Sequence, residues 1–287
     1  MNNMDSRDSQ GCRFRMILTG RWTPGEIRIS FKENANSSPA DFLANAEKFW
    51  AQKIASNPLL YNGVISSLIK VQAASKRLEL SLGETNYKHF LFANQLILQK
   101  SGNEYLQFAP SVLGVSAAVV TKDERLPVIW RSQTVGEYPQ MWDVMGGHIE
   151  PRKHADSKGQ PDPVAAIDDE VCEEIGVTSE DILSTTCIGL IENLETAKPE
   201  LLFEVRLGLT QNEVAECMKN AAESHEYTDD LWLAASAKEL SKFLASSRMQ
   251  CTPSAEGCLT VFRDTLLAAP DPSTFENLQF SPKFGKS

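Results

Sequence analysis

The segment Asp162–Val177, DPVAAIDDEVCEEIGV, constrains this chain more than any other. Asp162-Pro163 opens a helix, with a capping carboxylate and then a residue whose φ is preset for the first turn. Gly176 closes it. Ile167, Val171 and Ile175 recur at i, i+4 and i+8, so they share one apolar face that should bury. Glu170, Glu173 and Glu174 recur at i, i+3 and i+4 on a different face, and Asp169 and Glu173 add a further i, i+4 pair. Like charges at this spacing destabilise an isolated helix by a few tenths of a kcal/mol per pair. A divalent cation reverses that sign, because hard cations take carboxylate oxygens, keep waters and use substrate phosphates as further ligands. Acidic residues near a helix start also suit the macrodipole, so this segment alone leaves a solvated acidic face open.

The residues before the helix narrow the choice. Gly146-Gly147-His148-Ile149-Glu150 stands one loop upstream. Paired glycines let backbone turn tightly and approach a ligand closely. Loop and helix together resemble the Nudix box, G-x5-E-x7-R-E-U-x-E-E-x-G-U, where U is bulky and aliphatic. Its second half reads Asp169-Glu-Val-Cys-Glu-Glu-Ile-Gly-Val177, and only the Arg position differs, being Asp169. Gly147 to Asp169 spans 22 positions against 14 in the pattern, which places eight extra residues within Arg152–Asp162. Lys153 falls at the spacing of the first box Glu, and Met145 replaces the Pro that often precedes the glycines. In the family the box Arg orients a catalytic Glu. These departures therefore keep a catalytically inert nucleotide-binding module as an alternative.

The rest of the chain suits a metal-assisted enzyme of small molecules. Lys+Arg is 28 and Asp+Glu is 38, a net charge of −10, which disfavours a nucleic-acid partner. A nucleotide site would then need local compensation from a metal ion or from Arg and Lys. No stretch approaches the ~18 apolar residues of a membrane span, and MNNMDSRDSQGCRFRM does not read as a signal peptide. Cysteines 12, 172, 187, 217, 251 and 258 contain no C-x-x-C and read as reduced thiols of a cytoplasmic protein, with the nucleus left open.

Patterning predicts an α/β chain without internal repeats. Residues 14–31 read as two strands around Pro24-Gly25. Ser38-Pro39 reads as the start of a helix that ends at Asn57-Pro58, with Ser38 as N-cap. Strands near 64–73 and 77–82 precede a helix carrying Tyr87, Phe90, Leu91, Asn94 and Leu98. Buried strands follow at Val112–Val120 and Leu126–Trp130, then strands near 185–192, 200–209 and 230–235, and helices near 211–223, 236–247 and 254–268. The expected division is an N-terminal domain over 1–108, with 1–12 disordered, a second domain over 109–270 and an extended tail over 271–287.

A longer set of pieces resembles the UDP-glucose and UDP-galactose diphosphatases of the Nudix superfamily. It comprises Trp50–Tyr61, Leu82–Phe90, Leu113–Ala118, Trp130–Pro151, Ile188–Asn193, His225-Glu226 and Pro253–Gly257. The resemblance implies a Nudix α/β/α sandwich preceded by a smaller mixed α+β domain that helps to form the substrate pocket. It implies hydrolysis of a UDP-sugar to UMP and sugar 1-phosphate with Mg2+, or with Mn2+ in its place. ADP-ribose, a dinucleotide or coenzyme A are the alternative substrates. It assigns Glu170 and Glu174 to the metal, with Glu173 a third catalytic candidate. Arg131 faces phosphate or uridine, Asp143 accepts from sugar or ribose hydroxyls, and His148 donates to phosphate. Glu150 holds sugar hydroxyls or a second metal through water. Tyr61, Tyr87, Gly136 and Ser254 also contact the nucleotide-sugar, and Glu226 is an additional base. Ordinary roles compete at each position: turn capping at Asp143, N-capping at Ser254, packing at Tyr61 and Tyr87, a solvated rim at Arg131.

Overall fold

The computed structural model describes residues 11–33, 38–58, 60–99 and 109–268, and the backbone of Leu278–Phe280. In chain order the strands are β1 (Phe14–Trp22), β2 (Ile27–Lys32), β3 (Val64–Ala74), β4 (Arg77–Asn86), β5 (Gly114–Val120), β6 (Arg125–Arg131), β7 (Trp142–Asp143), β8 (Met145–His148), β9 (Ile182–Asn193), β10 (Lys198–Leu207), β11 (Tyr227–Ala234) and β12 (Leu278–Phe280). The α-helices are α1 (Ala40–Ser56), α2 (Tyr87–Leu98), α3 (Pro163–Ile175), α4 (Gln211–Met218), α5 (Ala237–Ser247) and α6 (Pro253–Leu267).

The central sheet runs β1-β9-β10-β5-β8, antiparallel except for the parallel β10–β5 pair. β5 is buried along its whole length, as a strand covered on both faces must be. Its alternation separates two cores. Val115, Ala117 and Val119 pack with Ile167, Val171 and Ile175 of α3. Ala118 and Val120 pack with α5 and α6 through Leu240, Phe243, Leu259 and Phe262. This is the expected α/β/α sandwich. A second sheet, β11-β6-β7, lies beside it. A third, β12-β3-β4-β2, joins α1 and α2, whose Phe42, Phe49, Phe90 and Phe92 form their own core.

The N-terminal segment contributes to two sheets. The two strands expected around Pro24-Gly25 both form, but they do not pair with each other. β1 is instead the edge strand on β9, and β2 pairs in parallel with β4. A 3-10 turn at Pro24–Glu26 redirects the chain, and the fully buried Trp22 fastens the corner by donating its indole N–H to the Ala74 carbonyl at 2.9 Å. α1 begins at Ala40, with Pro39 rather than Ser38 at the N-cap and no side-chain cap. α6 is capped by Thr252, which leaves Ser254 inside the first turn. α4 ends at Met218, short of the expected 223. The expected disorder of 1–12 lies outside the described residues except at Gly11 and Cys12. So do residues 100–108 at the expected domain boundary and nearly all of the tail. No helix among the described residues is long and apolar enough to cross a membrane, and all six cysteines are free.

Candidate active site

α3 forms as its sequence dictates. The Asp162 carboxylate accepts from the Val164 and Ala165 amides at 2.9 and 3.3 Å, and Gly176 closes the helix at φ +72°. With Ile167, Val171 and Ile175 buried against β5, the acidic face meets β8. There the glycine pair has a steric reason. A Cβ on Gly147 would collide with the Glu170 carboxylate, and one on Gly146 with the Val115 carbonyl. The helix in turn fixes the loop, because the Gly146 amide donates to Glu174 at 2.9 Å and the His148 amide to Glu170 at 3.3 Å.

Glu170, Glu173 and Glu223 each place a carboxylate oxygen within 4.8 Å of the others. Glu223 lies between α4 and β11, and its amide donates to the Glu173 carbonyl at 3.0 Å. Burial, then the charges of Glu223 and Glu173, push the Glu170 carboxyl up to about 8. Burial raises Glu223 as well, helped by Glu226 and Glu173. An all-oxygen donor set that repels itself this strongly fits a hard divalent cation. The expected Glu170–Glu174 pair shares Glu170 with this group. Glu174 lies outside the group, is fully buried and faces the Gly146 amide; burial, then Glu170 and Glu226, hold its carboxyl well above the usual range. Glu223 went unrecognised in the sequence, where only its neighbours His225-Glu226 drew notice.

The two positions at which the sequence departs from the box meet in space. Lys153 Nζ lies 3.0 Å from Asp169 Oδ2 and 2.9 Å from Glu173 Oε1. His154 Nε2 lies 3.3 Å from the same Asp169 oxygen, and its Nδ1 accepts from the Glu150 amide at 3.0 Å. The extra loop thus folds back onto α3. Its Gln160 side chain also accepts from the Phe31 amide of β2 at 3.2 Å.

A cavity of about 370 Å³ opens beside the carboxylates, lined by Glu170, Glu223 and Glu226. Tyr61, Tyr87, Arg131, Gly136, Asp143, His148, Glu150 and Ser254 all line it, so these sequence-selected residues share one site. Asp143 accepts from Arg131 Nη1 at 3.1 Å and from Thr252 Oγ1 at 2.7 Å, contacts that orient Arg131. His148 is wedged edge-on between the rings of Tyr87 and Phe90. Burial, then Lys198 and Arg131, depress its pKa well below the usual value. Tyr87 is held at its hydroxyl end by Gly136, where a Cβ would collide with Oη. Tyr61 is 75% exposed at the rim.

No protein-family model matches the chain. Uridine diphosphate glucose pyrophosphatase NUDT22 of Homo sapiens is 24% identical over 240 residues, which cover 74% of this chain and 78% of that protein. Nudix hydrolase 9 of Arabidopsis thaliana is 21% identical over 265 residues, covering 78% and 84% respectively. Among solved structures, the MutT protein from Methanosarcina mazei Go1 matches 54% of this chain and 94% of its own, at 18% identity and a TM-score of 0.34. With this loop and helix in an α/β/α sandwich, the chain resembles the Nudix hydrolases, and among them the branch that contains the UDP-glucose pyrophosphatases.

Proposed function

We propose that the protein hydrolyses a UDP-sugar, UDP-glucose or UDP-galactose, at its diphosphate, giving UMP and sugar 1-phosphate with Mg2+ as cofactor. The observation that carries this reading is the cluster of Glu170, Glu173 and Glu223, two of which, Glu170 and Glu223, line a cavity that also presents Arg131. The three carboxylates would hold the cation, which when bound neutralises diphosphate charge and makes water a better nucleophile. Arg131, steadied by Asp143 and by the Glu137 carbonyl at 3.2 Å, adds a guanidinium fork for phosphate oxygens. Glu226 shares the 3-10 turn after Glu223, lines the cavity and is assigned the proton from the attacking water. The water oxygen joins phosphorus as the bridging oxygen leaves. Tyr61 offers an exposed ring on which uracil stacks. Residues 1–108 act as a domain that completes the pocket, in a cytoplasmic protein. Curated relatives named as UDP-glucose pyrophosphatases support the choice of substrate.

The test is phosphate release from UDP-glucose, coupled to a phosphatase that acts only on the products, with and without Mg2+. ADP-ribose and coenzyme A are run alongside. Mg2+-dependent release from UDP-glucose well above the others is expected. Faster cleavage of either competitor would reassign the substrate, and no cleavage of any would favour an inert binding module.

A further inference from the structure

Part of the cavity wall lies away from the carboxylate triad in sequence and in chemistry. Lys198, at the start of β10, has a side chain only 9% exposed, yet it lines the cavity. Burial opposes its charge, but Glu137 and Glu200 outweigh that cost, so it stays an ammonium. Its Nζ lies 3.5 Å from a carboxylate oxygen of each. Neither contact reaches the ~2.8 Å of a charge-assisted hydrogen bond. Glu137 is approached from three elements without a tight partner: Lys198 at 3.5 Å, Asn94 Nδ2 of α2 at 3.4 Å and His148 Nε2 of β8 at 3.7 Å. Two buried atoms of this group, His148 Nε2 and Glu200 Oε2, have no hydrogen-bond partner.

The cluster is built rather than incidental. Glu137 sits on the β6–β7 loop beside Tyr138 and near Gln140, whose φ values of +46° and +58° are unusual for side-chain-bearing residues. Such strain persists where the surroundings enforce it, and it concentrates at ligand sites. Gly114, opposite Glu200 in the β10–β5 pairing, has no side chain, and a Cβ there would collide with the Glu200 carboxylate. Ser116 then donates to Glu200 at 2.7 Å. Backbone and side chains together hold two carboxylates and an ammonium against one cavity.

We propose that Glu137 and Lys198 form a subsite that reads the hydroxyl groups of the substrate's glycosyl moiety, with Glu200 behind them fixing the ammonium. The proposal rests on the reading above that the substrate is a nucleotide sugar. A sugar hydroxyl both donates and accepts, so a carboxylate beside an ammonium satisfies neighbouring hydroxyls together. Uracil has a single N–H to give and could satisfy only one acceptor. A phosphate would face two carboxylates and be repelled. The diphosphate therefore belongs beside Arg131 and at Glu170, Glu173 and Glu223, where a bound cation would offset its charge, and the sugar at Glu137 and Lys198.

The experiment compares kcat/KM for UDP-glucose with the inhibition constant of UDP, which lacks the sugar, in the full chain and in its Lys198→Met and Glu137→Gln variants. The expected result is a fall in kcat/KM of about tenfold or more with less than about a twofold change in inhibition by UDP. Equal losses for UDP and UDP-glucose would make the pair structural and overturn the subsite. If the variants fail to fold, the unsubstituted protein decides, using UDP-glucose analogues deoxygenated at each hexose position in turn. A loss at one or more positions is expected, and indifference to all of them would overturn the proposal while leaving the UDP-sugar reading intact. Failure of the unsubstituted protein to cleave UDP-glucose while it cleaves another nucleotide would remove both.

Discussion

Lys153 Nζ stands 3.0 Å from the Asp169 carboxylate, so the two residues that break the box pattern in sequence are partners in space. The loop that carries Lys153 holds the eight extra residues of this box. Both side chains are about 40% exposed. Solvent screening therefore limits the pair to at most about 1 kcal/mol of stability. Its consequence is positional, because the same ammonium reaches Glu173 of the carboxylate triad.

Reversing the charge of one partner should therefore damage activity more than folding. Lys153→Glu places a third acid against Asp169 and Glu173 and is expected to lower kcat by about tenfold, some 1.4 kcal/mol of transition-state stabilisation. Adding Asp169→Arg should restore most of the loss. Steady-state kinetics on the two single variants and the double variant measure the coupling. Additive losses would show that the two residues act independently.

Gly147→Ala puts a methyl group where the Glu170 carboxylate now lies. Displacing that carboxylate by about an ångström is expected to cost about a hundredfold in kcat. The melting temperature without metal should stay within a few degrees. The same variant should lose the rise in melting temperature that Mg2+ gives the unsubstituted protein. Retention of that rise would place the metal elsewhere.

Glu223→Gln should raise the Mg2+ concentration for half-maximal activity by about tenfold or more, if Glu223 is a ligand as the geometry indicates. Glu174→Gln tests the second position that the resemblance assigns to the metal: the same rise would make Glu174 a ligand, and an unchanged concentration would leave it as the acceptor of the Gly146 amide alone. Titrations of activity against Mg2+ for the two variants separate the roles.

Metal-free stability should fall as pH rises. Glu170 has a folded pKa of about 8, above its ordinary 4.5. A carboxyl with a raised folded pKa binds its proton more tightly in the native state. Its contribution is fully present below about pH 4.5 and is lost as pH climbs towards 8. Glu174 and Glu223 shift in the same direction. Melting temperatures from pH 5 to pH 9 in chelator should therefore decline, and saturating Mg2+ should flatten the curve. A chelated protein with no decline would remove the carboxylate repulsion from the account.

Thr252→Ala removes both the N-cap of α6, which accepts from the Ala255 amide at 3.0 Å, and the hydroxyl that donates to Asp143. The cap accounts for a loss of about 0.5–2 kcal/mol in denaturant unfolding. Because Asp143 steadies Arg131, KM for UDP-glucose should rise as well. Thr252→Ser keeps both bonds and should behave like the unsubstituted protein.

The sequence by itself determined the parts whose causes are local. The opening at Asp162-Pro163, the apolar stripe of α3 and the stop at Gly176 each follow from contacts within a few residues, and the structure reproduces them; the glycine pair at 146–147 is legible as a motif, but what it makes room for, the Val115 carbonyl and the Glu170 carboxylate, is distant in sequence. The same local pattern pointed to Glu170 and Glu173. Tertiary structure decided the rest, since facing partners come from distant segments. Glu223 joins the triad only because the turn before β11 packs against α3. Lys198 meets Glu137 across 61 residues because β10 places one beneath the β6–β7 loop that carries the other. Asp143 gains Thr252, 109 residues later, as a partner only through the packing of α6. β1 pairs with β9 rather than with β2 because a strand's partner depends on which buried face it completes, and a turn signal at Pro24-Gly25 carries no information about that face.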